Sequence, residues 1–129
     1  MFKITPIQDK SRQKEICEIL SVTYRENAFA YLMFDVESGD IMGMSQFEIL
    51  GESGMIYDIK EREGLSDDEA MFILGRQTMN FIDLCGAHLC YAEKSGADAR
   101  LLHAIGFREE RDGALFADMN GMFDGKCDH

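Results

Sequence analysis

The first half of the chain contains three short apolar segments that are separated by polar turn residues. They span residues 29–36, 41–50 and 55–60, and the turns between them read Glu-Ser-Gly-Asp and Gly-Glu-Ser-Gly. Short apolar segments bounded by such residues are typical of β-strands. Because loops of this length join neighbouring antiparallel strands, residues 29–60 predict a three-stranded meander.

A helix is predicted before the meander, and a strand before that helix. Residues 2–8 read as a short strand, in which Pro6 favours a sheet edge or a strand end. Ser11 is a suitable N-cap for a helix that runs to about residue 25. The apolar face of this helix would contain Ile16, Ile19, Leu20 and Thr23, which follow helical spacing.

A longer helix is predicted after the meander, and acidic residues mark its start. Ser66 and Glu69 have the spacing of a capping box, in which each side chain pairs with a free backbone N–H. Asp67 and Asp68 suit the positive end of the helix dipole. Gly86 is the expected stop. The acids at this junction therefore have a structural explanation that requires no ligand.

The last third of the chain predicts a strand, a short helix and a hairpin. The strand spans residues 88–93 and the helix residues 98–105. Asp112-Gly113 is a hairpin turn between residues 107–111 and 114–119. The element order is then β-α-β-β-β-α-β-α-β-β, which predicts an α+β fold.

Length and charge limit the classes of function. The 129 residues predict one domain over residues 1–119, followed by a tail over residues 120–129. A net charge of −11 argues against nucleic acid as a partner, because phosphate binding needs a basic face. The same charge would attract a cationic ligand such as an amine.

No segment predicts a membrane protein or an exported one. The longest apolar run, residues 28–34, has seven residues, whereas a membrane span needs about 20. The N-terminus has no apolar segment of the kind found in export signals. We therefore expect a cytoplasmic protein that does not bind membranes.

Four cysteines are scattered along the chain, and we expect them to be reduced thiols. Cys85-x-x-His88-x-Cys90 contains three groups of the kind that bind metals. No fourth ligand is close in sequence, and the paired Cys-x-x-Cys spacing of zinc sites is absent. We expect core cysteines, a loop histidine and no metal. Cys127 and His129 are interpreted as part of a frayed tail.

Local features and the element order together resemble a known family. The opening Ile-Thr-Pro-Ile-Gln-Asp has a proline in a strand and an acid before the first helix, and Ala-Ile-Gly-Phe over residues 104–107 ends the short helix. Over residues 1 to about 119, the chain resembles the GNAT superfamily of acyl-CoA-dependent N-acetyltransferases. The resemblance implies a mixed, mostly antiparallel sheet flanked by helices on both faces, with strand 88–93 parallel to the third meander strand. It also implies transfer of an acetyl group from acetyl-CoA to a small amine.

The resemblance assigns a cofactor loop to the junction before the long helix. In the family this loop carries Arg/Gln-x-x-Gly-x-Gly/Ala, and its amides bind the pyrophosphate of the acyl-CoA. This chain offers Glu61-x-x-Gly64-x-Ser66 or, in a second register, Ser66-x-x-Glu69-x-Met71. Acids lie near the phosphates in both registers, so we expect acetyl-CoA to bind weakly. The implied cofactor contacts are Ile59, Gly64, Ser66, Asp67 and Ser95.

The resemblance also assigns catalytic roles. An acid on or near the third meander strand often serves as general base, and Asp58 and Glu61 are the carboxylates available there. Leu102 replaces the tyrosine that protonates the departing thiolate in the family. His103 is the neighbouring candidate acid, although one step along a helix turns the side chain by about 100°.

Two functions from different classes follow. The nominal one is a cytoplasmic N-acetyltransferase that acts on a small amine. The other is a non-catalytic protein that keeps the fold as a binding or dimerisation module, with a homodimer as one arrangement. The cofactor loop favours the second function, whereas the resemblance as a whole favours the first.

Overall fold

A computed structural model describes residues 1–123, which form one seven-stranded sheet with three helices. The strands are β1 (Phe2–Pro6), β2 (Phe29–Asp35), β3 (Ile41–Leu50), β4 (Ser53–Glu61), β5 (Leu89–Ala92), β6 (Glu109–Arg111) and β7 (Ala114–Asp118). The helices are α1 (Lys10–Leu20), α2 (Asp68–Leu84) and α3 (Ala99–Ile105), and a 3₁₀ turn that was not predicted covers Lys94–Gly96. Among these residues, no helix combines the length and the apolar character that a membrane crossing requires. Cys127 and His129 lie outside the described residues.

The strands are ordered β1-β2-β3-β4-β5-β7-β6 across the sheet. β1 to β4 pair antiparallel in sequence order, whereas β5 lies parallel to β4 and antiparallel to β7. The predicted meander and the parallel position of the fifth strand are therefore confirmed. β1 lies at a sheet edge and ends at Pro6, a position in which proline disturbs no central strand.

One extra residue in β4 interrupts its pairing with β3. Gln46 pairs with Asp58, but the next residue, Phe47, pairs with Ile56, so that Tyr57 has no partner of its own. An extra residue of this kind is a β-bulge, and it breaks the alternation of side chains across the sheet. Ile56 packs in the core beneath α2, whereas Tyr57 and Asp58 both contact the segment that follows α1. Two consecutive side chains thus lie on one face.

The sheet separates two apolar cores, so helices cover both of its faces, as predicted. The larger core lies beneath α2 and α3 and includes Met33, Phe47, Leu74, Ile82, Leu102 and Ile105. The smaller core lies beneath α1 and consists of Ile16, Cys17, Leu20, Ala30 and Met44. Full burial of a large apolar side chain contributes about 1.5–3 kcal/mol. Both helix layers are therefore held by apolar contacts with the sheet.

Both ends of α1 differ from the prediction. Its N-cap is Asp9 rather than Ser11, and the Asp9 carboxylate accepts a hydrogen bond from the Ser11 backbone N–H at 2.9 Å. The helix ends at Leu20 rather than near residue 25. Ser21 adopts a left-handed conformation with a φ of 58°, which ends the helical hydrogen bonding there.

Two of the four residues predicted for the buried face of α1 are not on it. Ile19 is 53% exposed, and Thr23 lies beyond the end of the helix. Gln13 and Cys17 are buried in their place. Gln13 is accepted in the interior because its side-chain amide is hydrogen-bonded to another buried glutamine, Gln46. Helical spacing identifies the face of a helix but not the polar residues that have a partner there.

The N-cap of α2 lies one residue after the N-cap of the predicted capping box. Asp67 is the N-cap, and its carboxylate accepts a hydrogen bond from the Ala70 N–H at 3.0 Å. Ser66 lies just outside the helix, so the box predicted from Ser66 and Glu69 assigned the cap to the wrong residue. Aspartate caps as well as serine does, and its charge also meets the helix dipole.

α3 packs closely against α2, and this contact fixes the distance between the two helices. A Cβ atom added at Gly75 of α2 would lie 2.8 Å from Cδ1 of Ile105, closer than carbon atoms pack. Arg76 Nε donates a hydrogen bond to the Ile105 carbonyl at 2.8 Å. α3 therefore has a defined position beside the N-terminal half of α2.

The assigned cap predicts different effects of substitution at two neighbouring residues. Asp67→Ala should lower the free energy of unfolding by about 1 kcal/mol, because the Ala70 N–H loses its acceptor. Ser66→Ala should change it by less than about 0.5 kcal/mol. Asp67→Asn is the matched control and should behave as the unmodified protein, since asparagine also caps helices. Urea unfolding followed by circular dichroism measures all three, and equal losses at both positions would contradict this assignment.

Candidate functional site

A cavity of about 660 Å³ opens where the carboxyl end of β4 meets the first turns of α2 and α3. Its volume is in the range of small-molecule sites, which is about 300–1,000 Å³. The apolar part of the lining consists of Ile59, Met71, Phe72, Ala97, Leu101 and Ala104. The 3₁₀ turn and several charged side chains complete it.

The charged part of the lining is acidic. It contains four carboxylates and two cations, namely Glu61, Asp68, Glu69, Asp98, Lys60 and Arg100. Arg100 lies 3.9 Å from Asp68, but the two side chains are 86% and 91% exposed. An ion pair so exposed adds little to stability or to the local charge balance. The cavity entrance therefore carries a net negative charge.

The backbone N–H groups at the start of α2 are partly occupied by acids of the chain itself. The Asp67 N–H donates to Glu61 Oε2 at 2.8 Å, and the Ala70 N–H donates to Asp67 Oδ1 at 3.0 Å. A phosphate bound at a helix N-terminus requires such N–H groups and a positive local field. Here carboxylates take both hydrogen bonds and add negative charge, so this helix start disfavours an anionic ligand.

The 3₁₀ turn covers the β4 backbone beside the cavity. The Glu93 N–H donates to the Ile56 carbonyl at 3.0 Å, which extends the contact between β4 and β5 by one residue. A Cβ atom added at Gly96 would lie 1.9 Å from the Tyr57 carbonyl oxygen. Only glycine permits two backbone segments to approach so closely. β4 is thus covered at Tyr57, and it lines the cavity from Ile59 onward.

On the opposite face of the sheet, Asp58 is a carboxylate with only 17% of its side chain exposed. Its Oδ2 accepts a hydrogen bond from Gln46 Nε2 at 2.9 Å and lies 3.8 Å from Arg25 Nε. Burial raises the pKa of this carboxyl; Gln46 and Arg25 oppose the rise, and the charge of Glu93 adds to it. A carboxylate with a raised pKa is a better proton acceptor at neutral pH than an exposed one.

Gln46 is fully buried and joins Asp58 to the segment between α1 and β2. Its Nε2 also donates to the Thr23 carbonyl at 2.8 Å. Its Oε1 accepts hydrogen bonds from Gln13 Nε2 at 2.9 Å and from the Arg25 N–H at 3.2 Å. A buried polar group without a partner costs about 1–3 kcal/mol, so these contacts specify one arrangement of the segment.

Tyr57 lies beside Asp58 because of the bulge. Its hydroxyl donates a hydrogen bond to Glu48 Oε1, and the Arg25 guanidinium carbon lies 4.3 Å from the centroid of its ring. Burial and the contact with Glu48 raise the pKa of Tyr57 to about 12. At neutral pH, Tyr57 therefore offers an aromatic face and a protonated hydroxyl that is already hydrogen-bonded.

The structure places only some of the predicted cofactor contacts at the cavity. Three of the predicted site residues line it: Ile59, Glu61 and Ser95. Three others lie in the turn before α2 and are not part of the lining: Gly64, Ser66 and Asp67. The cavity is thus built from β4, the first turns of α2 and α3, and the 3₁₀ turn, rather than from the predicted loop.

The predicted catalytic residues do not come together. Asp58 faces α1, whereas Glu61 lines the cavity and binds the Asp67 N–H. His103 is exposed on α3 and does not line the cavity. Leu102 is 1% exposed and packs in the larger core, so its position carries no proton donor.

Sequence reasoning missed the polar residues that are linked to Asp58 and Tyr57 directly or through Gln46, namely Gln13, Arg25, Gln46 and Glu48. No motif marks them, and their proximity depends on the bulge and on the short segment between α1 and β2. The one available signal was Gln46, an uncharged polar residue between Ser45 and Phe47 in a mostly apolar predicted strand. A buried amide needs hydrogen-bond partners, which indicates a polar group on that face.

Comparison with known proteins gives a match in structure only. No protein-family model matches the chain, and no curated protein does. Among solved structures, the ribosomal-protein-S18-alanine N-acetyltransferase from Escherichia coli matches with a TM-score of 0.68 at 12% identity, over 92% of this chain and 90% of that one. PaiA N-acetyltransferase from Thermoplasma acidophilum, in complex with coenzyme A, matches with 0.68 at 8% identity, over 90% and 96%. YhhK from E. coli, bound to coenzyme A, matches with 0.67 at 13% identity, over 92% and 98%.

The chain has the GNAT fold. The α+β class and the mixed, mostly antiparallel sheet expected from the element order are confirmed by these matches. Identities of 8–13% support the fold alone and leave the reaction to be argued from the residues of this chain.

Coenzyme A is present in two of these GNAT-fold neighbours, but the cavity here suits only part of such a molecule. Its apolar lining suits a neutral, flexible arm. The start of α2 does not suit a diphosphate, because two of its N–H groups already bind Glu61 and Asp67. Asp68 and Glu69 add further negative charge at the same place. The residues present therefore do not fit acetyl-CoA as a tightly bound group.

Metal ligands are not grouped in the described part of the chain. Within residues 1–123, no three His, Cys, Asp or Glu side chains are arranged to hold a metal ion. Cys90 is buried, as expected for a core cysteine, and His88 contacts Asp83. Cys85 is exposed at the end of α2, which corrects the expectation that it packs in the core.

The surroundings of Asp58 predict the direction of each change in its pKa. In the unmodified protein the pKa should exceed the ordinary value of about 3.9, because burial disfavours the carboxylate. Arg25→Ala should raise the pKa further by removing an opposite charge, and Glu93→Gln should lower it by removing a like charge. Arg12→Ala, which removes an exposed arginine paired with Glu15, is the control. Carbon-detected NMR titration of the side-chain carboxyl measures each value, and a pKa at or below 3.9 in the unmodified protein would contradict this account.

Proposed function

We propose that the protein is a GNAT-fold binding protein that does not use acetyl-CoA productively. The observation that carries this proposal is the start of α2, where Glu61 and Asp67 accept two of the backbone hydrogen bonds that a phosphate could use. The proposed setting is the cytoplasm, with a small molecule as partner and a monomer or homodimer as the assembly. Neither nucleic acid nor a membrane is a proposed partner, since the net charge is −11.

Electrostatics supports weak binding of a diphosphate at this helix start. Two unit charges of like sign about 6 Å apart repel each other by about 0.7 kcal/mol in water and several times more in a partly dehydrated cleft. The helix dipole supplies only about half a positive charge in compensation. Asp68 and Glu69 both line the cavity, so the repulsion acts on any anion that enters it.

Calorimetry with acetyl-CoA tests the proposal. The dissociation constant should be no tighter than roughly 0.1 mM, which corresponds to about −5.5 kcal/mol. The double variant Asp68→Asn with Glu69→Gln removes two charges and leaves the Asp67 cap in place. It should bind at least about tenfold more tightly, because about 1.4 kcal/mol or more of repulsion is removed.

The matched control removes the same two charges from loops outside the cavity, as Asp40→Asn with Glu52→Gln. This variant should bind acetyl-CoA as weakly as the unmodified protein does. Micromolar binding by the unmodified protein would refute the proposal. An equal gain in both double variants would mean that net charge, rather than the start of α2, limits binding.

A second candidate function is N-acetyl transfer to a small amine, and one observation favours it. Asp58 is a mostly buried carboxylate whose pKa is raised, and it belongs to β4, the strand that lines the cavity, with its side chain on the other face of the sheet. Such a group could accept the proton that an ammonium ion releases before its nitrogen attacks an acyl carbon. Leu102 stands against this candidate, because a buried leucine cannot return a proton to a leaving group.

A thiol-release assay separates the two candidates. Under the first proposal, 1 mM acetyl-CoA and a panel of primary amines, each at ~10 mM, should give no thiol release above that of Asp58→Asn. Asn is nearly the same size as Asp and still accepts the Gln46 hydrogen bond, so folding should be retained. Thiol release that depends on both the amine and Asp58 would establish the acetyltransferase instead.

A further inference from the structure

Arg25 places a cation of the chain itself against the aromatic and acidic groups at the bulge. Its guanidinium carbon lies 4.3 Å from the centroid of the Tyr57 ring, and its Nε lies 3.8 Å from Asp58 Oδ2. Glu48 holds the Tyr57 hydroxyl, and Glu93 is close enough to raise the pKa of both Tyr57 and Asp58. An aromatic face bordered by carboxylates is an arrangement that binds cations.

Two buried glutamines hold the backbone of Arg25 at this position. The Arg25 N–H donates to Gln46 Oε1 at 3.2 Å, and the Arg25 carbonyl accepts from Gln13 Nε2 at 3.4 Å. Both glutamine side chains are fully buried. A fully buried side-chain amide is costly unless it is hydrogen-bonded. The two glutamine amides both bond to the backbone of Arg25, so they fix the position of its Cα atom. The position of Arg25 is therefore built into the fold.

The Arg25 guanidinium nevertheless lacks a hydrogen bond at Nε in this position. Its Nε is buried without a hydrogen-bond partner, because the 3.8 Å separation from Asp58 is too long for a hydrogen bond. The side chain as a whole is 38% exposed. A buried N–H that lacks a partner is unfavourable, and bidentate pairing with a carboxylate would be the stronger arrangement. The site can therefore accommodate a better-fitting cation than Arg25.

We propose that Arg25 is an internal occupant of a cation site formed by Glu48, Tyr57 and Asp58, and that a guanidinium or primary ammonium ligand binds there by displacing it. The inference rests on the proposed binding function and names the class of its ligand. The side chain can leave toward solvent, because it is partly exposed and its backbone contacts with the glutamines do not depend on the guanidinium. Binding is then weakened by the fraction of time that Arg25 occupies the site.

Calorimetry with agmatine tests this proposal, since agmatine carries a guanidinium and an ammonium group and has no phosphate. At physiological salt, Arg25→Ala should bind agmatine at least about tenfold more tightly than the unmodified protein, because the internal competitor is absent. Arg12→Ala, which also removes one positive charge but from an exposed position on α1, should bind as the unmodified protein does. Butylurea, an uncharged molecule of the same chain length, should not bind to either variant.

A second variant assigns the binding to this site. Arg25→Ala combined with Asp58→Asn should lose the gain in agmatine affinity, because the carboxylate nearest the cation is removed. Thermal unfolding of each variant checks the fold, and Arg25→Gln replaces Arg25→Ala if the alanine variant unfolds. The proposal fails if neither Arg25 variant binds agmatine more tightly than the unmodified protein. It also fails if the gain survives Asp58→Asn or appears equally in Arg12→Ala. Because the probe has no phosphate, these results do not depend on acetyl-CoA binding.

Discussion

A single extra residue in β4 turns Tyr57 and Asp58 to the same face of the sheet. In a regular strand these two side chains would point to opposite faces, and one of them would enter the core beneath α2. The bulge instead brings an aromatic ring and a carboxylate together next to the segment that follows α1. Gln46 lies opposite Asp58 in β3, and its buried amide bonds both to the carboxylate and to that segment. The bulge and the amide depend on each other, because removing either would leave buried polar groups without partners.

The two sides of the sheet carry different chemistry. On the α2 side, the fold forms a cavity of suitable size, but acidic side chains surround its entrance and bind two of the N–H groups at the helix start. On the α1 side, carboxylates and a tyrosine ring surround a cation that belongs to the chain itself. Both observations disfavour an anionic ligand and favour a cationic one. The fold thus determines where these groups lie, and the charged side chains of this chain make both places unfavourable for an anion.

The pattern of apolar residues predicted the meander because each of its apolar segments is bounded by turn residues. β3 was predicted at its observed bounds, and the parallel position of β5 followed from the family resemblance. The bulge could not be predicted, because an extra residue in one strand is defined by its pairing with another. The 3₁₀ turn depends on Gly96 meeting the Tyr57 carbonyl, a contact between segments far apart in sequence. The acids before α2 were recognised in the sequence, but the Glu61 bond to the Asp67 N–H required the structure.

The state of the Arg25 guanidinium is the most direct test of this account, and NMR observes its Nε–H group separately from the backbone. A group buried above the Tyr57 ring should give a distinct ¹H–¹⁵N signal that is shifted upfield by the ring and exchanges slowly with water near neutral pH. Arg12, which is exposed, provides the comparison within the same sample. A shifted and protected Arg25 signal that moves to the Arg12 position on addition of agmatine is the result expected. An Arg25 signal that coincides with that of Arg12, and exchanges as fast, would contradict the account.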